Sequence, residues 1–167
     1  MTWTPAGNFL LNQAIADRST TKKHSLGTIV TCKDPTYGMG EFVYLTGVAS
    51  CVAKNWVTYK NEDFVAVRLV ADAIGNVGIA MAATTASYYG WFQIEGYAYG
   101  TCLTQMASNT NVWITATAGA VDDTSVAGDF VVRARTEALA TVGGIYSKFS
   151  INRPYVTDRS SSAGGGF

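Results

Sequence analysis

The stretch EFVYLTGV, residues 41 to 48, constrains this chain more than any other, because bulky residues stand on both sides of what must be a strand. Side chains alternate across a strand, so Phe42 and Tyr44 face one way while Val43 and Leu45 face the other. Both faces need cover. Either the strand is central between layers of its own domain, or its second face meets another chain.

The glycine-rich approach to this strand, DPTYGMG, raises a competing possibility, a phosphate cradle. A nucleotide loop places its glycines between a strand and a helix N-terminus, so that backbone N–H groups and the helix dipole meet the phosphate. Here GMG opens onto a strand, and no lysine follows in P-loop position. The glycines instead predict positive-φ positions in a tight turn stiffened by Pro35.

Runs of β-branched and aromatic residues recur about every ten positions along the chain, punctuated by Gly, Asn, Asp and Ser. They predict strands at 27–32, 41–48, 55–59, 64–70, 77–83, 90–95, 97–103, 111–117, 129–135 and 145–152. That pattern calls for an all-β fold, a single jelly-roll-like β-sandwich or a barrel of about 8–10 strands. One short helix is allowed in NFLLNQAIAD, where Asn8 can cap and Leu11 and Ile15 stand one turn apart. It falls in an expected N-terminal arm, 1–25, followed by a β-rich domain, 26–152, and a low-complexity C-terminal tail, 153–167. Tails so poor in apolar pattern need something to dock on, and neighbouring subunits are the expected partners.

Alternation predicts which strands have a wet face. In FVAVRLV, Val65, Val67 and Leu69 share one side and Ala66 and Arg68 the other; in WFQIEG, Phe92 and Ile94, expected to point inward, oppose Gln93 and Glu95; both strands read as half-buried. In VGIAMAA, Val77, Ile79 and Met81 oppose Gly78, Ala80 and Ala82, whose small side permits close approach by another layer. Residues 64–83 are long enough to span a bilayer, but Arg68, Asp72 and Asn76 in their middle are costly in hydrocarbon, and two strands joined at DAIGN fit the same residues better. No basic secretory leader is expected in MTWTPAGNFLLNQAIAD.

Charge narrows the partners. Lys plus Arg balances Asp plus Glu at 12 each, so no long-range field draws the chain to nucleic acid or anionic lipid. Charged residues are only 14% of a chain that is 48% apolar, which suits a surface partly covered by partners. Cys32, Cys51 and Cys102 form no CxxC pair, and with His24 as the sole histidine the inventory disfavours zinc; buried reduced thiols are expected.

A catalytic triad would have to draw its base from His24, which reads as solvated or at an interface. Asp122, Asp123 and Asp129 match neither a glycosidase pair nor a calcium loop and read as an acidic surface turn. No cofactor or small-molecule substrate is expected. The densest aromatic cluster, ASYYGWFQIEGYAYG, can serve core, subunit interface or a sugar-binding face. Arg133 and Arg135 share a side of FVVRART, and Arg153 and Arg159 follow, so acidic partner surfaces are possible targets. The candidate subunit or capsid interface residues are Phe9, Leu11, Ile15, Tyr88, Tyr89, Trp91, Arg133, Arg135, Arg153 and Tyr155.

The blocks SLGTIVTCKDPTYGMGEFVYLTGVAS, IAMAATTASYYGWFQIEGYA, TAGAVDDTSVAGD and NRPYVTD, in that order, resemble the capsid decoration (cement) proteins of tailed bacteriophages. The likeness runs from about residue 9 to 158. It implies a β-rich, non-enzymatic virion protein, made in the bacterial host cytoplasm, that clamps adjacent major-capsid subunits from outside, often as a homotrimer. A tail or fibre component binding a host glycan is the alternative, and a β-sandwich hydrolase or lyase a weaker one.

Overall fold

The computed structural model describes residues 2–125, 129–138 and 145–157. Twelve strands occupy them: β1 (Thr4–Pro5), β2 (Arg18–Ser19), β3 (Ile29–Asp34), β4 (Gly38–Thr46), β5 (Trp56–Tyr59), β6 (Val67–Arg68), β7 (Gly75–Ala80), β8 (Tyr89–Thr101), β9 (Asn111–Ile114), β10 (Val121–Asp122), β11 (Phe130–Ala138) and β12 (Tyr146–Val156). The protein is all-β, its strands joined antiparallel into one sheet along the path β1-β3-β4-β8-β7-β12-β11-β9-β10. The sheet is open from β1 to β10 and forks at β8, which pairs with β7 at Phe92 and Gln93 and with β12 from Glu95 to Thr101 while β7 and β12 also pair, an arrangement consistent with an all-β sandwich or barrel. No helix forms among the described residues, the NFLLNQAIAD segment included.

The two faces of β4 are both covered by this chain. Phe42 and Tyr44 pack with Trp3, Ile15, Val30 and Trp91, while Val43 and Leu45 pack with Val57, Ala80, Phe92 and Ile94. A further core gathers Trp56, Val77, Ile79, Ala98, Phe149 and Ile151 under β9 and β11. Each large side chain so buried contributes about 1.5–3 kcal/mol.

The turn before β4 is fixed by Asp34, whose Oδ1 accepts from the backbone N–H groups of Thr36 (2.8 Å) and Tyr37 (3.1 Å). Gly38 has the expected positive φ, 76°, but Gly40 serves a different end: a Cβ there would lie 3.1 Å from Trp3 and 3.2 Å from the Gln93 amide. Close packing, not φ, demands that glycine.

Two expected strands merge into one. β8 runs through Gly96, where φ is +97° and a Cβ would lie 2.3 Å from the Met39 carbonyl oxygen. The register against β4 slips two residues earlier, at Ile94, passing from Glu41 opposite Glu95 to Phe42 opposite Gln93. This bulge lets the first half of β8 pair with β4 and β7 and the second half with β12.

The N-terminal segment does not extend away as an arm. β1 pairs with β3, β2 pairs with β8, and Trp3, Gln13 and Ile15 are buried against the sheet. The Gln13 amide donates to the Asp17 and Tyr89 carbonyls, its Oε1 accepts from the Tyr44 hydroxyl at 2.8 Å, and the Gln13 carbonyl accepts from Trp91 Nε1 at 3.0 Å. His24 completes the lock. Its Nε2 accepts from the Asn12 N–H, and its ring packs on Phe9, Tyr44 and Trp91. Residues 2–24 therefore form a roof over one half of the sheet. At the other end, residues 153–156 belong to β12 and not to a tail; residues 158–167 lie outside those described.

Two alternation readings need correction. In FVAVRLV only Val67–Arg68 is strand; Phe64 takes φ 53°, and Ala66 and Leu69 are buried while Val65 and Val67 are exposed. Gln93 is also buried, because its amide donates to the Glu95 and Tyr97 carbonyls across the bulge. The two-strand reading of residues 64–83 holds in outline, with β6 and β7 on either side of DAIGN.

Candidate functional site

The roof stops short of the second half of β8. On the inner side of that half, Ala98, Gly100 and Cys102 face the core with Phe149 and Ile151 of β12. The alternate positions, Tyr97 and Tyr99, stand on the outer side, and the register sets Tyr99 opposite Lys148 and Tyr97 opposite Ser150. Tyr97 is 43% exposed. The Lys148 ammonium lies 4.3 Å from the Tyr97 ring centre.

Lys54 joins this face from the loop before β5. Its ammonium sits 4.1 Å from the ring centre of Tyr146 and 6.0 Å from that of Tyr99. Its backbone is held at φ 74°, a conformation uncommon for a side chain with a Cβ. Three bonds fix it: Lys54 N donates to the Ala80 carbonyl (2.7 Å), and the Lys54 carbonyl accepts from Thr101 N (2.9 Å) and Thr101 Oγ1 (3.1 Å). Buried Asn55 supports the arrangement by donating to Thr101 Oγ1. Tyr37 meets Tyr99 edge-on at 5.8 Å and Trp3 at 6.5 Å, so the aromatic run continues from the unroofed face to the roofed core.

A cavity of about 230 Å³ opens at the boundary between roof and bare face. Ala16 of the roof, Ala80 and Met81 give it apolar walls; Lys54, Gln93 and Tyr99 supply its polar side. A second hollow, about 190 Å³, lies by Val65, Val67 and Ile74 at the β5–β6 edge. The first joins the pinned Lys54, the Tyr99 ring and an apolar wall in one place, and it is the candidate site.

The sequence-derived interface residues divide into two groups. Ile15 and Trp91 are 2% and 1% exposed, so no partner reaches them. Leu11 and Tyr89 pack half-buried against the same cluster, and Phe9 stacks on His24 at the roof's outer surface. Tyr88 is half-buried with the Arg18 guanidinium 5.0 Å from its ring centre. The second group lies on β11 and β12. Arg133 and Arg135 are exposed, and Arg135 donates to Glu137 at 2.8 Å. Arg153 donates through Nε (2.9 Å) and Nη2 (2.7 Å) to Glu41 and sits 3.9 Å from Glu95, so it separates two carboxylates that face each other across β4 and β8. Tyr155 is half-buried on β12 opposite Asn76.

Lys54, Lys148 and Tyr146 escaped the sequence reading, while Tyr97 and Tyr99 entered it only as members of the aromatic cluster. The alternation of Tyr97 and Tyr99 with Ala98 and Gly100 was the available signal. His24 lies below its ordinary pKa because burial disfavours its charged form, in keeping with its place in the roof. All three cysteines are free and buried; desolvation pushes Cys32 up to about 11 and raises Cys51 and Cys102. Among the described residues, no group of three or more His, Cys, Asp or Glu is placed to hold a metal ion. No family model, curated protein or solved structure matches the chain.

Proposed function

We propose that this chain is a structural virion protein that binds the outer surface of a phage head and clamps adjacent major-capsid subunits, without catalysis and without a cofactor. The observation that carries this reading is the Tyr97–Tyr99–Tyr146 face, exposed at Tyr97 and half-buried at Tyr99 and Tyr146 among the described residues, with Lys54 and Lys148 pinned upon it. Protein interfaces are enriched in tyrosine and methionine, and a face of rigid rings loses little side-chain entropy on contact. Its cavity, about 230 Å³, is smaller than the usual small-molecule site of about 300–1,000 Å³, which favours a macromolecular partner over a small ligand. The DPTYGMGEF and YGWFQI blocks add the resemblance to cement proteins.

On this reading the clamp works through the folded body, and trimer formation multiplies a modest contact by effective concentration on a symmetric shell. The same tyrosines favour the second reading, a fibre component that stacks on host glycan. Adding the purified protein to heads that lack it separates the two. Saturable binding in fixed ratio to the capsid subunit, with heads that resist heating better, supports the clamp; absence of binding to heads, with binding to host surface glycan, refutes it.

A further inference from the structure

The geometry points to an acidic peptide segment of the capsid subunit as the occupant of the cavity at Lys54, a carboxylate resting on the ammonium and its methylene stem on Ala16, Ala80 and Met81. This names the partner chemistry of the same face and so rests on the head-binding reading above.

Three observations converge on it. First, the face carries positive charge without internal compensation. Among the described residues neither Lys54 nor Lys148 makes an ion pair, and the acids of the neighbouring strands, Glu41 and Glu95, are engaged with Arg153. In a chain of zero formal net charge, such a pair of cations is a local feature that selects a local anion, not a nucleic-acid track. Second, the cations are pre-organised. Tyrosine rings hold both ammonium groups, and Lys54 is kept at φ 74° by bonds from β7 and β8, a strained backbone that the surroundings maintain. Ordering these long side chains before contact lowers the entropic cost of binding. Third, the lining is of both kinds: Ala16, Ala80 and Met81 offer apolar contact to the stem of an acidic side chain, and Lys54, Gln93 and Tyr99 offer polar contact to its head. A phosphate would find one ammonium and no fork of donors, whereas a single carboxylate needs little more.

The test uses the whole folded protein in two arms. In the first, hexaglutamate peptide is titrated in and lysine acylation is read by mass spectrometry; protection of Lys54 and Lys148, with other lysines unchanged, supports the assignment. Equal labelling of all lysines at saturating peptide, or protection by an oligogalacturonate and not by the peptide, overturns it. In the second arm, wild type, Lys54→Gln, Lys54→Arg and Lys148→Gln are bound to heads lacking the protein. Lys54→Gln is expected to lose about tenfold or more in affinity and to show a shallower salt dependence, with Lys54→Arg largely retaining both. Unchanged circular dichroism and melting temperature establish that the variants fold. If wild type binds heads and Lys54→Gln binds equally well, the acidic-segment inference falls and the clamp reading stands. If wild type fails to bind heads yet hexaglutamate protects the lysines, the clamp reading falls and the anion specificity stands.

Discussion

Replacing Gly96 by alanine tests the close backbone approach of β4 to β8 beside the bulge, where β8 passes from β4 and β7 to β12. The residue has φ +97°, and the added methyl would sit 2.3 Å from the Met39 carbonyl oxygen and 3.1 Å from the Gly40 Cα, both backbone atoms that cannot rotate aside. The conformational part of the cost is about 1–3 kcal/mol and the steric part about 1–3 kcal/mol, giving about 2–6 kcal/mol together. Against a total stability of about 5–15 kcal/mol, that is a large fraction. Gly38 and Gly7 supply the internal controls. Gly38 has φ +76° with nothing within 4 Å of the would-be Cβ, so Gly38→Ala reports the conformational term alone; Gly7 is open and has no positive φ, so Gly7→Ala is expected to cost under about 0.5 kcal/mol. Urea titrations followed by tryptophan fluorescence give the midpoint shift at constant m. A loss at Gly96→Ala no greater than that at Gly38→Ala would refute the argument that backbone contact between β4 and β8 fixes the strand crossing.

Deleting residues 2–19 strips the cover from Phe42, Tyr44 and Trp91, so it is expected to give insoluble or unfolded protein, not a folded body with weaker partner binding; circular dichroism of the truncated chain decides. The buried thiols are expected to resist iodoacetamide at about pH 8 in the native protein and to react at all three positions in denaturant, because only the thiolate attacks; fast native labelling of Cys32 would contradict its burial. Acid should weaken the fold in two stages. His24 is depressed below 6.5 by burial, so its contribution is complete above about that pH and fades as pH falls through the lower folded value; a His24→Gln variant should lose this first stage. Burial pulls Asp34 upward, but the N–H donors of Thr36, Thr2 and Tyr37 together hold its carboxyl below 3.8, so its contribution is complete above that value and disappears at still lower pH. Stability measured by urea midpoint against pH, for wild type and Asp34→Asn, checks the second stage.

Much of the sheet was legible because its long strands obey simple rules. The two apolar faces of EFVYLTGV demanded cover on both sides, and the structure supplies it from β8 with β5 on one side and from the roof on the other. The roof itself was not legible. Trp3, Gln13 and Ile15 follow neither a period of 2 nor one of 3.6, and what holds them is a set of bonds across 31 to 78 residues of sequence, between Gln13 and Tyr44 and between Gln13 and Trp91. The strands β1, β2 and β10 are two residues each, too short to alternate. Alternation misled in FVAVRLV because positive φ at Phe64 breaks the strand, so the buried residues Ala66 and Leu69 stand three apart. At the candidate site, Tyr97 and Tyr99 were visible as alternating aromatics, but Lys54 and Lys148 come from segments 43 and 49 residues away from Tyr97–Tyr99 counted from whichever tyrosine is nearer, and only the pairing of β8 with β12 and the strained loop at Lys54 bring them together.

The most direct test of the account is an image of a phage head decorated with this protein, at a resolution that orients each copy on the shell. The Tyr97–Tyr99–Tyr146 face with Lys54 is expected to lie against the capsid, bridging adjacent subunits, with an acidic side chain of the shell at the Lys54 ammonium. Copies bound with that face turned to solvent, or no copies on the head at all, would contradict it.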